Sequence, residues 1–246
     1  MTFISGFELS ELEPGEDNAY LRQLPIVKSL LGAGRIDFTS SVTFLVGENG
    51  AGKSTLVEAL AVGMRFNPAG GTRNSLFSSA DTVSELHYWL RIFRSRNPRD
   101  GYFLRAEAMN KVFSYYDAPG FYDPRFGPRM HTMSHGESSL HLLKNRFHAN
   151  GLYLLDEPES GLSPDSQIVA AARIADLARR GAQFIIATHS PIILAVPGAE
   201  ILEIRDGALT RVSYEETSLV EATREFIDDP LGTAAYLCEA DPIPED

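Results

Sequence analysis

The sequence predicts an α/β fold in which a mostly parallel sheet is covered by helices, with antiparallel strands on its edge or in a smaller lobe. Three observations predict this. The segments 42 to 46, 152 to 156 and 183 to 187 are near-continuous apolar runs, as expected of strands buried on both faces. Each is joined to helix-like runs, the connection a parallel sheet requires. With 246 residues, 43% of them apolar, the chain can enclose a full core.

The elements follow in order. Phe3 to Leu12 alternates enough for a strand, closed by the turn "PGEDN", and Leu24 to Leu31 suits a short helix stopped by "GAG". "SVTFLVGENGAGKSTLVEALAVGM" gives a β-branched strand, a glycine-rich turn and a helix in which Leu56, Leu60 and Met64 share a face. "SELHYWLRIFRS" puts Leu86, Tyr88, Leu90 and Ile92 at period two, and with "YFLRAEA" across "NPRDG" it predicts a β-hairpin. Residues 107 to 117 look helical, and "DAPGFYDPRFGPRMHT" is too rich in Pro and Gly for a regular element. Helices are predicted over Gly136 to Ala149 and Pro164 to Arg180, flanking the strand "GLYLLDE", with "AQFIIATHS" after the second. A hairpin turning at Asp206-Gly207 and a helix near Glu215 to Ile227 complete the chain, and the tail "EADPIPED" is expected to fray.

Composition narrows the function. A formal charge of -11 and a pI near 5.0 exclude coating nucleic acid by bulk attraction, although a local basic patch stays open. The single cysteine, Cys238, permits no intrachain disulfide or thiolate cluster and suits a reducing compartment. No apolar run approaches the roughly 18 residues of a membrane span, and the N-terminus turns acidic too early for a signal peptide. The expectation is a cytoplasmic protein without direct membrane insertion.

The chemistry concentrates in three strand ends. Gly47, Glu48, Asn49, Gly50, Ala51, Gly52, Lys53 and Ser54 fit G-x-x-x-x-G-K-[ST] between a predicted strand and helix, the phosphate-binding P-loop. Its glycines let backbone N–H groups approach phosphate, and the helix beginning near Lys53 adds a partial positive pole. Lys53 supplies a full charge to the β- and γ-phosphates, Ser54 offers its hydroxyl to Mg²⁺, and Thr55 can bond an α-phosphate. Asn49 suits either phosphate contact or the turn itself. In "LYLLDEPE", Asp156 at a buried strand end is assigned to Mg²⁺ and Glu157 to orienting or deprotonating the attacking water. His189 in "IIATHSP" is expected at the γ-phosphate or that water. Ser134 followed by Glu137 in "SHGE" is an S-x-x-E capping box and, as a helix start, also an anion site.

With "GENGAGKST", "SHGE", "LLDEP", "SGLSP" and "THS" in this order over most of its length, the chain resembles the ABC-type ATPases. Within these P-loop NTPases it looks most like the stand-alone ATPases of the RecF and SMC-like branch. The resemblance implies an ABC-type head with an antiparallel β edge lobe and a small helical signature lobe. As one domain, 1 to 65 and 150 to 212 would form the nucleotide core, 66 to 149 an inserted lobe ending in the signature helix, and 213 to 246 the C-terminal helix and tail. It implies ATP and Mg²⁺ as ligands and an ATP-dependent head-to-tail homodimer. There Ser134, Gly136 and Glu137 would meet the γ-phosphate held by a partner's Lys53, Gly161 and Leu162 would form the D-loop, and His189 would be the switch histidine. Transporter signatures read L-S-G-G-Q, whereas here Met133 precedes Ser134, His135 takes the first glycine position and Glu137 the glutamine position. No glutamine lies between the P-loop and the signature, so Glu107 is the candidate for the lid position, binding Mg²⁺ through water or serving only as a surface acid. Ser163 stands at the usual D-loop aspartate. For the adenine platform the resemblance offers Tyr20 or Phe38, with core packing the competing role of each.

Only about 80 residues separate Lys53 from Ser134, without sustained heptads, so the head carries no coiled-coil arm. Between them, Arg91, Arg94, Arg96, Arg99 and Arg105 are interleaved with Trp89, Phe93, Tyr102 and Phe103. That stretch suits nucleic acid, an acidic protein partner, or a solvated hairpin with its aromatics in the core. The leading expectation is an ATP hydrolase that passes dimer closure to an unknown protein partner, with DNA repair or phage defence implied by the resemblance. The alternatives are the ATP-binding subunit of a membrane transporter and an ATP-dependent switch with little turnover.

Overall fold

The computed structural model describes residues 2–10, 19–73, 83–106, 109, 112 and 134–239. Its centre is a six-stranded sheet in the order β5-β6-β7-β3-β8-β9, made of β3 (Val42–Gly47), β5 (Asp100–Arg105), β6 (Gly151–Asp156), β7 (Gln183–Ala187), β8 (Glu200–Arg205) and β9 (Ala208–Val212). All neighbours are parallel except β8 and β9, the hairpin that turns at Asp206-Gly207 and closes one edge. A second sheet, antiparallel, orders β2 (Arg35–Asp37), β1 (Ile4–Leu9) and β4 (Leu90–Arg94).

Alternation along the central strands divides the core in two. Leu45, Phe103, Leu152, Leu154 and Ile185 point into a cluster completed by α1 (Pro25–Leu30), α2 (Lys53–Gly63), and Phe3 and Phe7 at and within β1. Phe44, Tyr153, Leu155, Phe184 and Ile186 point the other way, against α4 (His135–Asn145), α5 (Pro164–Arg179), α6 (Pro191–Leu194) and α7 (Ser218–Asp228). The last helix is α8 (Pro230–Glu239). The small sheet is fastened to the large one by Gln183 at the start of β7. Its buried amide oxygen accepts from the N–H groups of Phe3 and Ile4, and its amide nitrogen donates to the Ile4 carbonyl.

One expectation is overturned. Residues 84 to 105 do not form a hairpin. Leu86–Trp89 is a short helix (α3), and β4 and β5 lie in different sheets, β4 against β1 and β5 against β6. The cause is burial: Tyr102, Phe103 and Leu104 are covered on both faces, which a place beside β6 at the edge of the large sheet provides, whereas β4 is half exposed. Of the expected helix over 107 to 117, Met109 and Val112 are helical. Glu107, Met133, the turn at 14–18, the Pro-rich stretch 117–132, the side chain of Cys238 and the tail 240–246 lie outside the described residues.

Candidate functional site

Three neighbouring strands end on the same side of the sheet. In register, Leu45 of β3 and Asp156 of β6 both face Ala187 of β7, so the loops after these strands converge at the carboxyl edge. That edge is where open α/β sheets bind ligands. A cavity of about 190 Å³ there is lined by Asn49, Gly50, Lys53, Ser54, Thr55, Glu157 and His189, drawn from all three loops.

The phosphate loop leaves β3 at Gly47 and enters α2 through Gly52, whose φ of 90° belongs to the left-handed region. A β-carbon on Gly52 would lie 2.4 Å from Ile26 Cγ2, so the loop sits directly on α1. The Ile26 N–H holds it there through the Ala51 carbonyl at 2.9 Å. No side chain caps α2, which leaves the N–H groups of its first turn to a ligand. Lys53 is buried and folds back, donating Nζ to the carbonyls of Gly47 at 2.8 Å and Glu48 at 2.7 Å. Burial lowers its pKa, an effect opposed by Glu157, Asp156 and Glu159. Asp156 is buried at the end of β6. With the Ser54 hydroxyl at the same edge, the donor set is hard oxygen. No cluster of three His, Cys, Asp or Glu that could cage a metal occurs among the described residues. That set fits Mg²⁺, which takes one or two protein oxygens and completes its shell with water and phosphate.

Glu157 has a φ of 49°, uncommon outside glycine, and its N–H donates to the Ala187 carbonyl at 2.9 Å. Its Oε1 lies 4.0 Å from His189 Nε2. Burial, and then Lys53, lower the His189 pKa, while Glu157 raises it. The ring is therefore neutral at pH 7.

Sequence reasoning missed Glu159. Its Oε1 accepts the His189 backbone N–H at 2.6 Å, and burial raises its pKa despite that bond. Its Oε2 is buried without a hydrogen-bond partner among the described residues. The signal in the sequence was a third acid in "DEPE", indistinguishable by type from a solvated loop residue. A second unread link joins Ser190 Oγ, donating to Gln167 Oε1 at 2.6 Å, to the Leu162 carbonyl, which accepts from Gln167 Nε2 at 3.0 Å. The loop after β7 is thereby tied to the loop before α5.

At the signature stretch the capping box is complete. The Glu137 N–H donates to Ser134 Oγ at 3.3 Å, and the Ser134 N–H donates to Glu137 Oε2 at 2.9 Å. That backbone bond, and after it the Ser134 hydroxyl donating to the same Oε2 at 2.8 Å, lower the Glu137 pKa. Gly136 packs against the residues of the expected D-loop: a β-carbon there would lie 2.1 Å from the Gly161 carbonyl oxygen. Ser163 caps α5 by accepting the Ser166 N–H. Of the two upstream aromatics, Phe38 is core, packed on Phe7. Tyr20 is half exposed and lines a cavity of about 450 Å³ together with Ser54, Thr55 and the Glu58–Arg105 ion pair.

Family models match in two segments: one described as "AAA domain" over residues 27–93, and one described as "AAA domain, putative AbiEii toxin, Type IV TA system" over 129–195. The chain is 31% identical over 173 residues to the cytochrome c biogenesis ATP-binding export protein CcmA of Paracoccus denitrificans, covering 65% of this chain and 74% of that protein. It is 28% identical to the galactose/methyl galactoside import ATP-binding protein MglA of Treponema pallidum, over 69% of this chain but 38% of that longer protein. Among solved structures, an SMC head bound to the C-winged helix domain of ScpA superposes with a TM-score of 0.49 at 16% identity, covering 89% of this chain and 99% of that one. No helix among the described residues is long and apolar enough to cross a membrane.

Proposed function

Because the chain belongs to the ABC-type P-loop ATPases, we propose that it hydrolyses ATP with Mg²⁺ in a head-to-tail homodimer whose closure drives a partner protein. The observation that carries this reading is the convergence of Lys53, Glu157 and His189 on one cavity, beside the buried strand end at Asp156. In it, the N–H groups of residues 47 to 54 and the Lys53 ammonium hold the phosphates, Lys53 exchanging its two carbonyl partners for phosphate oxygens. Ser54 and Asp156 would hold Mg²⁺, which when bound neutralises developing charge on the phosphates. Glu157 accepts a proton from the attacking water, and neutral His189 orients that water or the γ-phosphate.

From the second subunit, Ser134 and Gly136 meet the γ-phosphate. Glu137 keeps that helix start in shape, since a carboxylate offers no donor to a phosphate. Glu107 remains the proposed lid residue, and Tyr20 the proposed base platform in preference to the buried Phe38.

Two partner readings differ in support. The names of the curated relatives, an export and an import ATP-binding protein, support an ATP-binding subunit of a transport assembly. DNA repair or phage defence rests on the resemblance of the motifs. Co-purification with a membrane protein favours the first; hydrolysis stimulated by DNA favours the second. The test of the shared chemistry is Glu157→Gln, sized with and without Mg-ATP. It should bind ATP, lose turnover and accumulate as a dimer, whereas wild-type turnover by this variant would remove Glu157 from the mechanism. Negligible turnover by the native chain would leave an ATP-dependent switch.

A further inference from the structure

A second concave site lies at the opposite end of the sheet. Strands β5 and β6 begin there with Asp100 beside Gly151. Each strand has six residues, which at the rise of an extended chain puts this end about 17 Å from Arg105 and Asp156. Between these strand starts, the end of α2 and the end of α4 opens a cavity of about 270 Å³, lined by Arg65, Thr72, Arg73, Arg99, Asp100 and Arg146. Four guanidinium groups therefore share one small volume in a chain whose formal charge is -11.

The acid on this wall is already engaged. Asp100 accepts from both terminal nitrogens of Arg146, each at 3.1 Å. Arg73 donates to the Pro98 carbonyl at 3.0 Å, a neutral acceptor that leaves its charge uncompensated. Among the described residues, no ion pair neutralises Arg65, Arg73 or Arg99. Arg96, three residues before Arg99, lies over the Phe3 ring and reaches the Gly181 carbonyl near the start of β7. Like charges gathered at one spot repel, and an anion that bridges them removes the repulsion. The fork of guanidinium donors matches the paired oxygens of phosphate better than a compact ammonium would, and the lining contains arginine and no lysine. The volume is below that usual for drug-sized ligands and suits one or two phosphate groups.

We propose that this arginine cavity is a phosphate-group binding site, separate from the nucleotide site at the other end of the sheet. The group would come from a compact phosphorylated solute or from the phosphodiester backbone of a nucleic acid lying along the arginine rim. The inference does not depend on the ATPase assignment.

The test saturates the P-loop with ADP and then measures binding of pyrophosphate by calorimetry and of labelled single-stranded and duplex 20-mers by fluorescence anisotropy at low salt. The double substitution Arg65→Gln, Arg99→Gln should weaken binding by about tenfold or more, the scale of losing charge-assisted hydrogen bonds. Arg65→Lys, Arg99→Lys, which keeps charge but loses the fork, should fall between. Both side chains are exposed, so hydrolysis without added ligand should stay within about twofold, as for independent sites. Binding of pyrophosphate identifies a small phosphorylated ligand. Binding of DNA alone, with a shallower salt dependence in the glutamine variant, identifies a phosphodiester. Binding of neither probe by the native chain, or equal binding by the native and glutamine chains, overturns the proposal.

Discussion

Glu157 and Glu159 stand two residues apart and do different work. Glu157 is partly exposed, faces His189 and has a left-handed backbone, strain of the kind held at functional sites. Glu159 faces inward and fixes the backbone of His189 rather than its ring. Glu159→Gln keeps a carbonyl acceptor for that N–H and removes a buried carboxylate, so nucleotide affinity should hold and kcat should fall modestly. Glu159→Ala, which deletes the acceptor, should lower kcat about tenfold or more with little change in ATP Kd, read by single-turnover kinetics. The His189 pKa is held below its ordinary 6.5, so the ring stays neutral to more acidic pH. The acid limb of kcat/KM, which reports the free enzyme, should therefore fall below pH 6.5 where it tracks His189, and should move in His189→Gln. Residue type alone could not separate the two glutamates, because what distinguishes them is which loop the chain folds over each.

Among the elements, α4 has two obligations at its first turn. Its capping box satisfies its own N–H groups, and Gly136 lets it lie against Gly161. Ser134→Ala should cost about 1 kcal/mol in stability, the ordinary worth of a serine cap, measured by denaturant unfolding. Gly136→Ala inserts a methyl where a carbonyl oxygen already is; displacing the loop at Gly161 should impair ATP-dependent dimerisation while the P-loop of the monomer still binds nucleotide. The box was legible because capping is local, two residues three apart. The contact with Gly161 was not, since it joins segments 25 positions apart in sequence. The same divide explains β4 and β5. Alternation in "LHYWLRIF" and the turn at "NPRDG" satisfy every local rule for a hairpin, yet partner choice followed two-sided burial of Tyr102 to Leu104. The strands that carry the P-loop, Asp156 and His189 were readable because each is a near-continuous apolar run punctuated by its own motif.

For the whole molecule, nucleotide binding and folding are linked. A ligand at 100 times its Kd stabilises the folded state by about 2.7 kcal/mol. In a chain of this size that raises Tm by several degrees, about 2–4 °C per kcal/mol. Mg-ATP should produce such a shift in thermal unfolding of the native chain and none in Lys53→Ala, whose loop has lost its cation. The two-sided core also predicts where damage spreads. Substituting alanine at Phe44 or Phe184, both fully buried on the face covered by α4 to α7, should cost about 3–5 kcal/mol.

Strand β7 contributes no motif of its own until it ends, yet it lies between β3 and β6. The Ala187 carbonyl takes the Glu157 N–H, and the Thr188 N–H goes to Leu45. The phosphate-holding and water-handling halves therefore never touch through their own strands; they are gauged from a common ruler. A slip of β7 by one residue would turn all its side chains to the opposite face and misalign both halves together. The site is in this sense indivisible: an insertion or deletion within 183 to 187 should abolish it outright, with no half-assembled version that binds phosphate but fails to hydrolyse.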